Sequence, residues 1–134
     1  LAERQNSPQI TLQFIDEAEE KIERDRVQDI ITTQPKQSQI TLLAIFETAK
    51  AAGARPMFTG DIYDLYKDLC AKAKIKPLTQ RRLSDLIAEL DMLGIISAKV
   101  ISKGRYGRTR QIGLGIPNST IPKLEQVLKE ALNL

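Results

Sequence analysis

The stretch from Pro77 to Arg110 constrains the fold of this 134-residue chain more than any other. It reads PLTQRRLSDLIAELDMLGIISAKVISKGRYGRTR, and its first half places apolar residues at the spacing of one helical stripe. The stripe consists of Leu83, Leu86, Ile87, Leu90 and Leu93. Gly94 follows directly, and a glycine at that position commonly ends a helix. The pattern therefore predicts an amphipathic helix that stops at Gly94.

A β-hairpin is predicted after this helix. The segment IISAKVIS is rich in β-branched residues, and TRQIGLGI alternates apolar with smaller or polar residues. The alternating apolar positions are Ile112, Leu114 and Ile116. Gly104 and Gly107 lie on either side of the tip and permit the positive φ angles of a tight reversal.

The charge of the hairpin points to a polyanion. Between Met92 and Leu124 there is no Asp or Glu, whereas a solvated face usually mixes both signs. The cations in this interval are Lys99, Lys103, Arg105, Arg108, Arg110 and Lys123. Because like charges on a short ribbon repel each other, a bound polyanion would relieve the cost. We therefore predict a nucleic-acid contact here.

The start of the predicted helix gives a second indication. Thr79 is a good N-cap, so that Gln80, Arg81 and Arg82 become the first helical residues. Arginine is unfavourable there because the helix N-terminus already carries partial positive charge, and a phosphate would remove the conflict. The alternative is that Arg81 pairs with Asp85, four residues later, and Arg82 with Glu89 or with solvent. Such pairs contribute only about 0.3 to 0.5 kcal/mol.

Composition excludes several classes of function. The chain has no histidine and one cysteine, Cys70, which excludes a Ser-His-Asp triad, an intrachain disulfide, a Cys-based zinc site and most transition-metal sites. No apolar run reaches the roughly 18 residues of a membrane span, and no secretory leader is visible. Asp61, Asp64 and Asp68 share one helix face, but a hydrated surface is favoured over a cation site, because one face cannot encircle an ion. We expect an intracellular, reduced protein.

The N-terminal part differs in charge from the remainder. Residues 1–34 hold eight acids and four bases, a balance of −4, so the rest of the chain carries +7. Leu1 to Asn6 is predicted to end a preceding helix, and Thr11 to cap a new one. The charged run EKIERDR then interrupts the apolar pattern, which indicates either a domain boundary or one surface helix. We divide the chain into 1–26 and 27–134.

The remaining segments complete the predicted order of elements. SQITLLAIFETAKAAG is apolar nearly all round and predicts a central core helix after a connector from Thr32 to Ser38. A connector or very short strand at 55–58, a helix capped by Thr59 and a C-terminal helix from Ile121 follow. The fold class is thus mainly α with a small β-hairpin, in a winged helix-turn-helix arrangement.

The same residues carry a family resemblance. LTQRR, SDLIAELDMLGII and SKGRYGRTR closely resemble the C-terminal winged-helix domain of archaeal origin recognition initiators, the ORC-like AAA+ proteins that mark replication origins. The resemblance extends upstream through EKIERDRVQDIITTQPKQSQITLLAI and covers nearly the whole chain. It implies that residues 1–26 are the tail of the AAA+ helical lid, and that double-stranded origin DNA is the partner.

The resemblance also implies what this chain lacks. No GxxxxGK[ST] phosphate loop occurs in it, so ATP or ADP, Mg²⁺ and ATP hydrolysis belong to a missing ATPase domain, and the chain alone is not an enzyme. The replicative helicase is a partner expected of the full-length family. A monomeric chain in the cytoplasm, associated with the nucleoid, is expected.

The predicted DNA-binding residues form two groups. In the recognition helix, Gln80, Arg81 and Ser84 are expected in the major groove, with Thr79 and Arg82 on the backbone. The wing residues Lys103, Gly104, Arg105, Tyr106, Gly107, Arg108 and Arg110 are expected at an adjacent minor groove. For Tyr106 the alternative is packing against the base of the ribbon, and for Arg110 it is an exposed position on the strand.

Two other functions remain open at this point. The chain could be a winged-helix transcription regulator that dimerises through its acidic N-terminal helix, or a winged helix that binds protein instead of DNA. A tight dimer in solution would favour the first, and weak, sequence-independent DNA binding the second. The cations on both the helix start and the wing disfavour the protein-binding alternative.

Overall fold

The winged helix-turn-helix fold is confirmed by the computed structural model, which describes residues 8–53, 55–102 and 108–134. Its helices are α1 (Pro8–Thr33), α2 (Lys36–Ala52), α3 (Thr59–Ala73), α4 (Gln80–Met92) and α5 (Ile121–Leu132). Its strands are β1 (Met57–Phe58), β2 (Ile96–Ser102) and β3 (Arg108–Leu114), and a 3₁₀ turn, Asn118–Thr120, precedes α5. Helices α3 and α4 form the helix-turn-helix, and β2 with β3 form the ribbon.

The sheet has one strand more than the predicted hairpin. Its order is β1-β3-β2, and both pairings are antiparallel. Ile112 of β3 is opposite Met57 on one side and Ala98 on the other, and both Ile112 and Met57 are buried. The sequence allowed either a connector or a very short strand at 55–58. The structure selects the strand, which ties the ribbon to the body of the domain.

Helix α2 is the centre of the core, as predicted. All five of its large apolar residues are buried, namely Ile40, Leu42, Leu43, Ile45 and Phe46. A helix buries side chains around most of its circumference only when several elements surround it. Here α3, α4, α5 and β1 all pack against α2. Cys70 is buried in the same core, where it acts as a small apolar side chain.

Helix α1 departs from the predicted boundaries. It begins at Pro8, so Thr11 lies inside it, and it continues through EKIERDR to Thr33. Lys36 then begins α2 directly after Pro35, which makes the connector much shorter than predicted. Because the charged run does not end the helix, the proposed division at Arg26 falls within one element and stays a prediction. Leu1 to Asn6 lies outside the described residues.

Helix α3 begins with a different cap from the predicted one. Thr59 is its first helical residue and is buried, and the N–H of Phe58 donates to Oδ2 of Asp61 at 3.0 Å. Asp61 thus makes the reach-back bond of a capping box, and its charge complements the helix dipole. Within the described ranges, no group of three or more Cys, Asp or Glu side chains could hold a metal ion. In the same ranges, no helix combines the length and apolarity that a bilayer crossing requires.

Helix α5 closes the core from the other side. Ile121, Leu124, Leu128 and Leu132 are buried, whereas Ala131 is exposed. Glu125 is also buried, and its Oε2 accepts a hydrogen bond from Nζ of Lys50 at 2.8 Å. This ion pair links α5 to the end of α2.

Candidate nucleic-acid interface

The first turn of α4 has the predicted cap. Thr79 has extended backbone angles, and its Oγ1 accepts a hydrogen bond from the N–H of Arg82 at 3.3 Å. Gln80, Arg81 and Arg82 are all exposed in a first turn without an acidic residue. The first amides of a helix have no intrahelical acceptor, so this turn offers N–H donors together with two guanidinium groups. Such a turn is suited to bind phosphate.

The orientation of α4 is fixed by its apolar stripe. Leu83, Ile87 and Leu90 are fully buried, while Leu86 and Leu93 are half-buried. Gly94 ends the helix with φ +82°, a conformation that glycine adopts without steric cost. The opposite face, which contains Arg81 and Asp85, is therefore presented to solvent.

The arginines of α4 are not neutralised by nearby acids. Among the residues that the structure describes, the ion pairs within 4.0 Å are Arg26–Glu23, Lys50–Glu125 and Lys129–Glu47. Neither Arg81 with Asp85 nor Arg82 with Glu89 is among them. The pairing of Arg81 with Asp85 is therefore not realised, and Arg82 faces solvent, so both charges remain available to a ligand.

The ribbon is fastened directly to the polar face of α4. Nε of Arg110 on β3 donates to Oγ of Ser84 at 2.9 Å, and Arg110 is only half-exposed. Arg110 is therefore not simply an exposed residue on the strand. Because Ser84 accepts this bond, its hydroxyl proton and the terminal nitrogens of Arg110 can still donate to another group.

The cations of the ribbon do not all share one face. Arg110 is opposite Val100, and Lys99 is opposite Gln111. Since neighbouring residues in a strand point to opposite faces, Lys99 lies on the face away from α4, whereas Val100 lies on the face of Arg110. Val100 is 53% exposed, which leaves an apolar side chain beside Arg110 next to the helix.

The predicted tip of the wing lies outside the described residues. This applies to Lys103, Gly104, Arg105, Tyr106 and Gly107, and also to the side chain of Arg108. The backbone of Arg108 begins β3 opposite Ser102. The DNA-binding roles assigned to these residues stay predictions.

A hydrogen-bond network that the sequence did not reveal holds the turn before α4. The Tyr66 hydroxyl accepts from the N–H of Leu78 at 2.8 Å and donates to Oε1 of Gln37. Nε2 of Gln37 donates to the carbonyl oxygen of Lys76 at 2.9 Å, and the Tyr63 hydroxyl donates to the carbonyl oxygen of Leu78 at 2.9 Å. These bonds join α2 and α3 to the turn and so position the N-terminus of α4. No local pattern in the sequence indicates them.

Burial of the Tyr66 hydroxyl makes the stability pH-dependent. Burial, as the main cause, raises the pKa of Tyr66 from 10.0 to about 12. Between these values the unfolded chain loses the proton first, so the free energy of unfolding should fall as pH rises from about 10 to about 12. We expect the Tyr66→Phe variant to show a smaller fall, measured by denaturant titration at several pH values. Equal pH dependence in both proteins would contradict this assignment.

Comparison with known proteins identifies similar domains. Residues 29–123 match the family described as CDC6, C terminal winged helix domain. An ORC1-type DNA replication protein of Pyrococcus furiosus is 49% identical over 129 residues, which is 96% of this chain and 30% of the relative. The ORC1-type DNA replication protein 1 of Methanosarcina acetivorans is 45% identical over 118 residues, covering 87% of this chain and 28% of the relative.

Solved structures show the same fold. The Aeropyrum pernix ORC1 protein in complex with DNA is 40% identical, with a TM-score of 0.74, over 87% of this chain and 29% of that one. Cdc6p from Pyrobaculum aerophilum shares the fold at 20% identity, with a TM-score of 0.65, over 79% of this chain and 26% of that one. The chain therefore spans about 30% of the length of its relatives.

Proposed function

Because this chain belongs to the CDC6 C-terminal winged-helix family of ORC1-type replication proteins, we propose that it binds double-stranded DNA sequence-specifically at replication origins. It would do so as the DNA-binding portion of an archaeal replication initiator. The related Aeropyrum pernix protein was solved in complex with DNA, which supports this partner. ATP, Mg²⁺, ATP hydrolysis and the helicase contact are assigned in this proposal to the part of the relatives that the chain does not span.

The observation that carries the proposal is the bond between Arg110 and Ser84. It fastens the ribbon to the exposed face of α4, so that the two elements form one surface. On the same helix, Arg81 and Arg82 are exposed and unpaired within the described part of the chain. Two linked elements with uncompensated positive charge fit a duplex that offers a groove to each of them.

Each element has a distinct role in this proposal. The major groove admits a helix, and Gln80, Arg81 and Ser84 would read base edges there, with Arg81 bidentate to guanine O6 and N7. Thr79 and Arg82 would hold the phosphate backbone. Arg110 would hold the wing at the neighbouring minor groove, where arginine favours the narrow, A/T-rich form. The predicted tip, Lys103 to Arg108, would enter that groove.

Equilibrium binding to origin-type and scrambled duplexes at several salt concentrations tests this function. We expect the origin duplex to bind more tightly, with a specificity ratio toward the lower end of the usual range of about 10³ to 10⁷. The Arg105→Ala/Arg108→Ala variant should reduce the slope of log K against log salt by about two units, because each lost phosphate contact contributes roughly 0.9.

A matched control and two alternatives complete the experiment. Lys21→Ala/Arg24→Ala removes the same charge from α1, outside the proposed surface, and should leave the slope nearly unchanged. Equal affinity of the wild type for both duplexes would contradict sequence-specific binding. We propose that this chain is a monomer and that it lies in the cytoplasm, associated with the nucleoid. A tight dimer in analytical ultracentrifugation would instead favour a dimeric transcription regulator.

A further inference from the structure

A second group of cations lies beside the first turn of α4, outside the predicted site. The intervals 30–46 and 69–84 contain no Asp or Glu. Six cations in these intervals are exposed, namely Lys36, Lys72, Lys74, Lys76, Arg81 and Arg82. The first interval runs from the end of α1 into α2, and the second runs from the end of α3 through the turn into the start of α4. Only the two arginines were expected to contact DNA.

The structure brings these two intervals together. Nε2 of Gln37 donates to the carbonyl oxygen of Lys76 at 2.9 Å, so the residue after Lys36 directly contacts the turn that leads into α4. Tyr66 holds the same turn through the N–H of Leu78. Lys36 and Lys76 therefore lie near the N-terminal end of α4, whereas the ribbon is attached to the helix at Ser84. None of the six cations has a carboxylate within 4.0 Å among the described residues.

Lys74 provides an independent observation. It follows α3 with φ 59° and ψ 41°, and the N–H of Ile75 donates to the carbonyl oxygen of Cys70 at 2.9 Å. This is the Schellman arrangement, in which glycine is the usual residue because any Cβ is unfavourable in the left-handed region. A lysine at this position is costly for folding. Its side chain is exposed and makes no ion pair in the described part of the chain.

We propose that Lys36, Lys74 and Lys76 form a third DNA contact, which binds the phosphate backbone flanking the groove that α4 enters. This inference rests on the proposed function. Lysine is a compact point charge that suits phosphate, and the surface continues the basic first turn of α4. The contact anchors the N-terminal end of the recognition helix, while the wing anchors the duplex beyond Ser84. Because phosphates carry no sequence information directly, it adds affinity equally on all sequences.

The test compares salt dependence of duplex binding between matched variants. Lys36→Gln/Lys74→Gly/Lys76→Gln should lower the slope of log K against log salt by about two to three units on both origin and scrambled duplexes. The ratio of the two affinities should remain that of the wild type. Lys21→Gln/Arg24→Gln/Lys129→Gln removes the same charge from α1 and α5 and should change the slope by well under about one unit.

A single variant separates binding from folding. Lys74→Gly should keep or raise the thermal midpoint, because glycine is favoured at this φ, yet it should lower the slope by about one unit. If the wild type does not bind duplex DNA in a salt-dependent way, the proposed function and this inference both fail. If it binds, but the patch variant retains its slope or the control loses as much, this inference alone is overturned. Lys36, Lys74 and Lys76 would then be better suited to bind an acidic protein than DNA.

Discussion

Arg81→Ala is expected to weaken binding to an origin duplex by about 1 to 3 kcal/mol, or about 5- to 150-fold, and to relax one position of the recognised site. Arg81 is exposed in the first turn of α4, and no acid in the described part of the chain pairs with it. Its guanidinium fork matches guanine O6 and N7. Titration of a series of duplexes with single base-pair changes would locate the relaxed position.

Arg82→Ala is the matched control for this variant. Its N–H is already bonded to Thr79, and its side chain is assigned to the backbone, so its loss should weaken all duplexes equally. Both variants should retain the stability of the wild type, because both side chains are exposed. If Arg81→Ala weakens origin and scrambled duplexes to the same extent, Arg81 binds phosphate. No effect of either change would contradict the placement of α4 in the groove.

Gly115→Ala is expected to lower the free energy of unfolding by about 2 to 3 kcal/mol, toward the upper end of what an overpacked site costs. A Cβ at Gly115 would lie 2.8 Å from the carbonyl oxygen of Gly94 and 3.2 Å from two backbone atoms of Ile95. These are backbone atoms, so they cannot move aside as the end of a flexible side chain can. The N–H of Gly115 also donates to the carbonyl oxygen of Ile95 at 2.9 Å, a bond at the base of the ribbon.

Gly113→Ala provides the control in the same strand. A Cβ there would meet no atom within 4 Å, so we expect a change within about 0.5 kcal/mol. Denaturant titration of both variants gives the comparison. Equal stability of the two variants would show that the backbone at Gly94 and Ile95 yields to the added methyl group.

Local patterns were sufficient to predict the elements that carry the site. The leucine stripe, the Thr79 cap and the Gly94 stop determined both ends of α4 to within one residue, because each depends on neighbours within a few positions. The core position of α2 likewise followed from its composition. At α3 the preference for threonine at a helix start gave a wrong cap. Thr59 was expected there, but Asp61, two residues later, accepts the bond from the N–H of Phe58.

Contacts between distant segments could not be predicted. The pairing of β1 with β3 depends on only two residues, Met57 and Phe58, which are too few to give a periodic signal. The bonds from Arg110 to Ser84 and from Gln37 to Lys76 join residues that are 26 and 39 positions apart. No local sequence pattern shows which distant residue a polar side chain will bind. The continuation of α1 through its charged run was also left open, because charged residues are good helix formers as well as typical boundary residues.

The position of β3 between two other strands determines how force from a bound duplex would be distributed. A pull on the hairpin reaches β3, which is hydrogen-bonded to β1, and β1 continues without a break into α3. Because β3 is also bonded to α4 through Arg110 and Ser84, force on β3 would be shared between both helices of the helix-turn-helix. The two residues of β1, at the edge of the sheet, thus add a second attachment between the ribbon and the body of the domain.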